Sequence, residues 1–384
     1  WINQYEPQCA YDLPETCVES LTVAQLLDLA GKRGAILDEL LPLKLTYGVD
    51  LDRERINAEQ TTFNAQTSSE SGGLELEKES KAARYPSYRV DGVSVYAQLD
   101  WHATDNLTLS GGARRQQMDV DVSDFKGVPG GSNDYQVNLF NVGAIYDFKN
   151  GHQVWTNYGE GFDLPDPAKY YGKPGLSVAH NPLAGIKSRQ VELGWRYADL
   201  DWDAQAALYY IWSDKIINVD SQTLTINVEE QKSRDFGFEG ALTRHFQTGW
   251  EAGGTLHLTR SEEEDVDGGW IKRDARYASL SKATAFVGWK GDGRSARLQA
   301  NHAFSLKDDA DHEIDGYTTF DLLGSQDTGF GTFSAGIQNL LDKQYSTVWG
   351  QRATLFYSPT YGPAYLYDYQ GRGRTYTLTW SMAY

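Results

Sequence analysis

Residues 343–371 and the residues that follow them concentrate arginine and aromatic side chains, which could form a binding surface. Guanidinium groups donate paired hydrogen bonds to anionic oxygens, and aromatic rings supply flat contact surfaces that attract cations. The alternative is an aromatic girdle with arginines paired to carboxylates of a strand wall. The candidate binding residues are Trp349, Arg352, Tyr357, Tyr361, Tyr365, Tyr367 and Arg372, with Tyr369 and Arg374 beside them.

Other chemistries have little support in the sequence. It contains no H-E-x-x-H, P-loop, nucleophile-elbow or cysteine-histidine metal pattern, and its seven histidines are scattered. We therefore predict a protein that is not an enzyme and holds no cofactor. A net charge of -18 without a basic stripe also argues against nucleic-acid binding.

Two acidic stretches, 261–267 and 308–315, are interpreted as solvated loops, with a divalent-cation site as the alternative. Cys9 and Cys17 lie close together in a polar segment that we assign to an outer loop over 1–20. Two thiols cannot complete a zinc site alone, so a local disulfide is the simpler interpretation and two free thiols the alternative. Closing this small loop would contribute about 2–3 kcal/mol.

Alternation of apolar and polar residues at period two recurs along the chain and predicts an all-β structure. Val93, Val95 and Leu99 alternate with Ser94 and Gln98, for example. Mean hydropathy is only -0.54, and no stretch of 18 consecutive apolar residues could form a spanning helix. The predicted strands are 41–52, 90–102, 106–118, 136–148, 152–163, 189–199, 202–215, 233–246, 250–262, 280–290, 295–307, 316–326, 331–342 and 372–384.

The connections between these strands alternate strictly between short and long. The short ones carry turn residues, as in 104–106, 149–151 and 291–293, whereas long ones such as 53–89 and 343–371 run to tens of residues. Outer-membrane barrels have short periplasmic turns and long outer loops, so the pattern predicts a transmembrane antiparallel β-barrel.

Counting strands backward from a periplasmic C-terminus requires one more descending strand at residues 21–31. Residues 21–41 fit a helix at least as well by their spacing, and both interpretations stay open. The total is then about fifteen strands, whereas single-chain bacterial barrels have an even number. The chain also begins at Trp1 rather than at a methionine. We therefore expect preceding strands in a longer protein, of which 1–384 is one β unit.

The last strand, 372–384, alternates an apolar face with a face of threonine, serine and alanine. Such a face would contact lipid, with its terminal aromatic residue at the membrane interface. A terminal strand of a soluble sheet is the alternative. The apolar residues, which resemble an outer-membrane barrel-assembly signal, are Tyr376, Leu378, Trp380, Met382 and Tyr384.

Three motifs resemble those of TonB-dependent receptors and occur in that family's order. GIQNLLDKQY over 336–345 resembles the N-L-x-D-x-x-Y element of the penultimate strand. GEGFDLP over 159–165 resembles the G-F-x-x-P element, and VELG over 191–194 resembles the following E-x-G strand. The tail over 349–375 is similar to that of ferric aerobactin and related citrate-hydroxamate siderophore receptors.

The resemblance implies a 22-stranded outer-membrane barrel closed by an N-terminal plug, with import energised by TonB, ExbB and ExbD. The plug and TonB box are absent from this sequence, so TonB contact would run through the missing N-terminal region. It also implies an anionic ferric siderophore whose iron is already coordinated. The receptor would therefore contact the outer surface of this chelate rather than its iron. The partners would be that siderophore, the TonB complex and outer-membrane lipid.

Three other functions remain open at this stage. A TonB-dependent receptor for haem, cobalamin or a glycan would share the same barrel motifs. An outer-membrane barrel enzyme or adhesin would need a reactive cluster at the barrel mouth, which the sequence does not provide. A soluble β-rich binding protein would need a second layer to cover its apolar strand faces.

Overall fold

A computed structural model describes residues 43–382, except for the side chains at positions 359 and 361. Their main feature is one long antiparallel sheet, in which fourteen strands follow one path and a fifteenth, β14, pairs with the loop end of β13. The strands are β1 (Leu43–Ile56), β2 (Glu59–Phe63), β3 (Lys78–Ala83), β4 (Tyr88–His102), β5 (Leu107–Val122), β6 (Gly131–Asp147), β7 (His152–Asp163), β8 (Ile186–Ala198), β9 (Trp202–Ser213), β10 (Ile216–Val219), β11 (Ile226–Glu229), β12 (Ser233–His245), β13 (Trp250–Glu264), β14 (Trp270–Lys272), β15 (Lys282–Gly291), β16 (Arg294–Ala303), β17 (Leu306–Lys307), β18 (Glu313–Ile314), β19 (Tyr317–Thr328), β20 (Gly331–Gln338) and β21 (Thr375–Ser381).

The fourteen predicted strands from 41–52 onward are confirmed, each by one strand of the long path. That path runs in chain order from β1 to β21 and skips the short strands of the loops. Within the described residues, β1 and β21 each pair on one side only. The all-β class is therefore confirmed. The predicted strand at 21–31, the cysteines at 9 and 17 and the outer loop over 1–20 lie outside the described residues.

Period-two alternation gives the sheet two different faces. On β8, Val191, Leu193 and Trp195 lie on one face and Glu192 and Arg196 on the other. The register carries both faces across the neighbouring strands, so that Leu193 pairs with a leucine of β9. We call these the apolar face and the polar face. Many large side chains of the apolar face are exposed, which requires apolar surroundings.

Short turns close one end of the sheet, as the turn residues predict. In the connection from β15 to β16, Asp292 and Gly293 both have positive φ, 51° and 68°. This conformation suits the right-handed twist of a tight hairpin. Lys149 and Gly151 likewise have positive φ between β6 and β7. The predicted alternation of short and long connections is confirmed.

The long connections lie at the other end and contain small elements of their own. Hairpins β2–β3, β10–β11 and β17–β18 form in three of them. No helix among residues 43–382 is both long enough and apolar enough to span a membrane. The helices are α1 (Ala65–Glu70), α2 (Pro167–Tyr171), α3 (Val348–Phe356), α4 (Ser358–Tyr361) and a 3₁₀ turn (Ala364–Leu366).

The buried apolar residues gather beneath these long connections in two groups. Loop cluster 1 joins the loop ends of β4 and β5 to the segment 164–185. Loop cluster 2 joins 273–281, 304–316 and α3, and Leu306, Val348, Leu355 and Phe356 pack around it. The buried residues of loop cluster 1 are Tyr88, Val90, Met118, Val120, Val122, Ala168, Tyr171, Val178 and Leu183, and those of loop cluster 2 are Ala275, Leu280 and Ile314.

Several predicted boundaries were wrong. The strand predicted to end at 342 ends at Gln338, because Asn339 takes positive φ (49°) and leaves the ladder. The acidic stretch 261–267 is not entirely a loop. Its first four residues belong to β13, where Glu262 pairs with Arg234 and Lys272 on the two neighbouring strands and is buried.

The final strand has the predicted two faces. Tyr376, Leu378 and Trp380 are exposed and pair with Ile337, Ala335 and Phe333 on the apolar face of β20. Met382, just after the strand, is also exposed. The predicted strand 372–384 begins later, at Thr375, and ends at Ser381, and positions 383 and 384, including Tyr384, lie outside the described residues.

Candidate ligand-binding site

Helix α3 carries two of the predicted binding residues, Trp349 and Arg352. Thr347 caps its N-terminus, because the threonine Oγ1 accepts a hydrogen bond from the backbone N–H of Gly350 (2.9 Å). The same hydroxyl donates to the carbonyl of Tyr369 (3.0 Å), so the helix start is tied to the end of the loop. A Cβ at Gly350 would lie 2.6 Å from the Tyr369 carbonyl oxygen, so this close approach needs glycine.

Arg352 joins α3 to the segment 273–281. Its Nε donates to the carbonyl of Ala275 (2.9 Å), and one Nη donates to the carbonyl of Ala278 (2.6 Å). The two bonds orient the guanidinium as a fork toward the neighbouring loop. The structure thus gives this predicted ligand contact a role in holding two loops together.

Gln351 makes a second connection, from α3 to the loop 304–316. Its Oε1 accepts from the backbone N–H of Asp315 (2.6 Å), while its Nε2 donates to the carbonyl of the same residue (3.0 Å). Both polar atoms of one amide therefore hold one backbone position. These two bonds fix the helix against the loop in addition to the apolar contacts of loop cluster 2.

The buried carboxylate of Asp308 joins the loop 304–316 to the segment 273–281. One carboxylate oxygen accepts from the Ala275 N–H (2.9 Å) and pairs with Nδ1 of His312 (2.9 Å). The other accepts from the N–H groups of Ala310 and His312 (3.0 and 2.9 Å). Burial acts to raise the pKa of Asp308, but these bonds outweigh it and hold the pKa below its ordinary value. The predicted solvated loop over 308–315 is thus anchored by a buried carboxylate.

The predicted aromatic residues are only partly brought together. The rings of Trp349 and Tyr357 lie 5.9 Å apart, centroid to centroid. Tyr365 and Tyr369 are exposed and Tyr367 is half-buried, whereas the side chain of Tyr361 lies outside the described part of the chain. The group presents accessible aromatic surface around α3 but does not form one stacked array.

Arg276 also lies in this region, although the sequence did not predict it as a residue of the site. Its guanidinium lies 4.7 Å from the ring centroid of Phe356 and forms a two-point ion pair with Asp274. Burial raises the pKa of the neighbouring Tyr357, and the charge of Arg276 opposes that rise. No local signal identified Arg276, because its partner on α3 lies 80 positions further along the chain.

Arg372 and Arg374 lie at the base of the long loop, where Asn339 organises the backbone. The buried Asn339 amide donates to the carbonyls of Lys343 (2.9 Å) and Arg372 (3.0 Å). Arg374 Nε donates to the carbonyl of Leu340 (3.0 Å), and both Arg372 and Arg374 are exposed. These two arginines are therefore more accessible to a ligand than Arg352.

Residues in and near the motifs shape the base of the long loop and the strand wall. The rings of Tyr345 and Tyr317 stack at 4.3 Å, and Gly371 passes so close that a Cβ there would lie 2.0 Å from the Tyr345 ring. Gly194 similarly leaves room for Trp155, whose Nε1 donates to Glu192 (2.5 Å). The motifs thus position the wall and the loop base.

Metal chemistry finds no support in the described residues, which contain no group of three or more His, Cys, Asp or Glu placed to hold an ion. The site consists of cations, aromatic rings and backbone groups on loops above a two-faced sheet. An apolar face, short turns at one end and long loops at the other define the outer-membrane barrel class.

Comparison with known proteins gives the family. Residues 22–340 match the family model for the TonB dependent receptor-like β-barrel. The ferric aerobactin receptor of Klebsiella pneumoniae is 39% identical over 373 residues, which cover 89% of this chain and 51% of that protein. The rhizobactin receptor of Rhizobium meliloti is 36% identical, with 93% and 52% covered. Among solved structures, the copper transporter OprC superposes with a TM-score of 0.67 at 16% identity, covering 87% of this chain and 54% of that one.

The chain belongs to the TonB-dependent receptor β-barrel family. The expected resemblance is thereby confirmed, and the relatives found are receptors rather than enzymes. The chain spans about half the length of these relatives.

Proposed function

We propose that this chain forms part of the wall and outer loops of a receptor that imports a ferric siderophore across the outer membrane. The ligand is a citrate-hydroxamate chelate of the aerobactin type. The apolar face contacts lipid, and the apolar residues of β21, together with Met382 and Tyr384, serve as the barrel-assembly signal. TonB, ExbB and ExbD act through a region outside this chain.

The single observation that carries the ligand proposal is the aromatic and cationic surface around α3. An anionic chelate whose iron is fully coordinated offers no open metal position, so it is held by hydrogen bonds from cations and by contact with flat rings. Trp349, Tyr357, Tyr365 and Arg372 supply these groups, and Tyr361 and Tyr367 belong to the same loop. Arg352 contributes by positioning α3. The names of the relatives, with 36–39% identity, support the same ligand class.

The test is uptake of radiolabelled ferric aerobactin by the full-length parent receptor in an iron-starved strain without its own siderophore receptors. We expect uptake that requires TonB. If the receptor reaches the outer membrane but takes up no aerobactin, the ligand proposal fails and the family assignment remains. Uptake of ferric rhizobactin alone would move the assignment to that siderophore.

A pair of variants localises binding to the α3 surface. Trp349→Ala should weaken ferric aerobactin binding, because an exposed aromatic contact is lost. Trp250→Ala is the matched control, since Trp250 at the turn end is equally exposed (50% against 51%). Equal loss in both variants, at equal receptor levels in the membrane, would remove Trp349 from the site.

A further inference from the structure

The polar face of the sheet carries an arginine that the binding surface around α3 does not use. Arg297 on β16 alternates with the exposed Leu298 of the apolar face and pairs across the strands with Gly288 of β15. It lies three residues from Arg294 at the turn end, roughly 10 Å along the strand, and six from Ala303 at the loop end, roughly 20 Å. Arg297 is therefore well separated from the loops.

The ring of Phe286 supports the guanidinium of Arg297. Phe286 lies on the neighbouring strand β15, where it alternates with the exposed Val287 of the apolar face. The guanidinium carbon lies 3.5 Å from the ring centroid. Stacking of this kind fixes the planar group without occupying its N–H donors. We call Arg297 and Phe286 together the interior cation site.

Protein groups leave most of the donors of Arg297 unused. Its Nε has no hydrogen-bond partner among the described residues, and the side chain as a whole is 38% exposed. Within the same residues its one ion pair joins Nη1 to Glu251 at 3.9 Å, which is beyond hydrogen-bond distance. Arg114, also on the polar face, instead donates to Asp50 at 2.7 Å. Arg297 is thus the less committed of the two cations.

Glu251 holds the charge of Arg297 only loosely. It reaches Arg297 across β15 because a Cβ at Gly288 would lie 2.9 Å from its Oε1. Its other carboxylate oxygen lies 3.8 Å from Nδ1 of His245, and Nε2 of His245 pairs with Asp203 at 3.0 Å. Exposed ion pairs of such length contribute little to stability. Another carboxylate can therefore replace Glu251 at Arg297 without a large loss.

We infer that the interior cation site binds a carboxylate of the anionic ferric siderophore during its passage toward the periplasm. In the barrel of the proposed function the polar face lines the interior, so a ligand released by the loops passes this site. A guanidinium donates paired hydrogen bonds to a carboxylate. This inference rests on the proposed function.

The loose pairing with Glu251 also provides for release. A site along a conduction path has to bind strongly enough to accept its ligand and weakly enough to let it leave. Glu251 pairs with Arg297 again when the ligand departs, so the charge of the arginine is never left alone. The ring of Phe286 keeps the guanidinium in the same place in both situations.

The test separates capture by the loops from passage through the interior. The full-length parent receptor is expressed in the iron-starved strain described above. The Kd of radiolabelled ferric aerobactin is measured on cells without TonB, and the maximal uptake rate on cells with TonB. The variants are Arg297→Gln, Arg297→Lys and Phe286→Leu. The control is Arg196→Gln, which removes an exposed arginine from the same face at the turn end of β8.

We expect Arg297→Gln to keep the Kd and to lower the maximal uptake rate about fivefold, because one charged hydrogen-bonding position is lost. Arg297→Lys should recover part of the rate, since it keeps the charge. Phe286→Leu should lower the rate about twofold, because the cation is no longer fixed. Arg196→Gln should import at the unmodified rate. All rates are compared at equal receptor levels in the outer membrane.

Unchanged uptake by Arg297→Gln, or an equal loss in Arg196→Gln, would overturn the inference. A weaker Kd would place Arg297 in the capture surface instead. Faster entry of vancomycin without siderophore would assign Arg297 to holding the plug, which also overturns it. If Arg297→Gln does not reach the outer membrane, Arg297→Lys and Phe286→Leu decide by the same readouts. Absence of binding by the unmodified receptor would instead remove the proposed function.

Discussion

Loop cluster 1 and loop cluster 2 lie at the same end of the sheet but are stabilised differently. Loop cluster 1 buries nine residues, among them Val120 and Leu183, against the loop ends of β4 and β5. Loop cluster 2 buries three, and its loops are joined by the side chains of Asp308, Gln351 and Arg352. An apolar cluster is held by many contacts between side chains. A connection made of hydrogen bonds depends instead on each donor and acceptor atom.

The difference matters for binding. A loop that is held by a few hydrogen bonds opens at lower free energy than one held by a buried apolar core. Loop cluster 2 also carries the exposed Trp349 and its neighbours. We therefore expect the more easily opened region to be the one that contacts ligand, with loop cluster 1 as a rigid neighbour.

The largest effect should follow from Leu183→Ala in loop cluster 1. Leu183 is 2% exposed, and its removal should cost about 2–5 kcal/mol because it leaves a cavity. Limited proteolysis should then cut 164–185 faster while 345–371 keeps its protection. Leu200→Ala, at a turn residue that is 96% exposed, is the control. Faster cutting of both loops would mean that the clusters form one cooperative unit.

Asp308→Asn should disrupt loop cluster 2 next most strongly. An amide cannot accept all the bonds that the carboxylate accepts, and each buried donor left unpaired costs about 1–3 kcal/mol. Hydrogen exchange should quicken in 273–281 and 304–316. Asp309→Asn, which alters the more exposed neighbouring carboxyl, should have a smaller effect.

The same residue predicts a pH dependence. Because the pKa of Asp308 is held below its ordinary value of about 3.9, its bonds stabilise the loops fully above that pH and are lost as the pH falls through the lowered pKa. Protection of 273–281 should therefore fall below about pH 4 and that of 164–185 should change less. Equal changes in both segments would contradict an origin in Asp308.

Arg352→Lys distinguishes positioning from ligand contact. Lysine cannot span the carbonyls of Ala275 and Ala278 as a fork, so about one charged hydrogen bond is lost and siderophore binding should weaken about tenfold. Exchange in 273–281 should quicken even without ligand. Arg372→Lys is the comparison. Weaker binding in Arg352→Lys with unchanged exchange in the free receptor would make Arg352 a direct contact.

Tyr277→Phe should have the smallest effect and measures the coupling between the two regions. The Tyr277 hydroxyl, in a segment of loop cluster 2, accepts from the backbone N–H of Val219 (2.7 Å) on the hairpin β10–β11. Val228 of the same hairpin packs against loop cluster 1. Its loss should cost about 1 kcal/mol. A double-mutant cycle with Leu183→Ala should be additive within about 0.5 kcal/mol. A larger interaction energy would show that the clusters are coupled.

The wall was predictable because its signal is local. Alternation along 189–199 or 331–342 needs no partner strand to be recognised, and turn residues such as Asp292 and Gly293 mark where strands end. The strand end at Gln338 was missed because it depends on the left-handed backbone at Asn339, which is stabilised by contacts with Lys343 and Arg372.

The loops were predictable in composition but not in arrangement. The aromatic and arginine content of 343–371 was evident, whereas the partners of Arg352 lie 77 and 74 positions away on another loop. The acidic run that begins at Ser261 reads as a loop because its charges are adjacent. Pairing of Glu262 with Arg234 and Lys272 makes it a strand instead. Long-range pairs of this kind leave no periodic signal.

Hydrogen exchange of the full-length receptor, with and without ferric aerobactin, tests the central claim most directly. We predict that the ligand slows exchange in 273–281, 304–316 and 345–371 and leaves 164–185 and 216–229 unchanged. Protection confined to 164–185 and 216–229 would contradict the assignment of the binding surface to loop cluster 2.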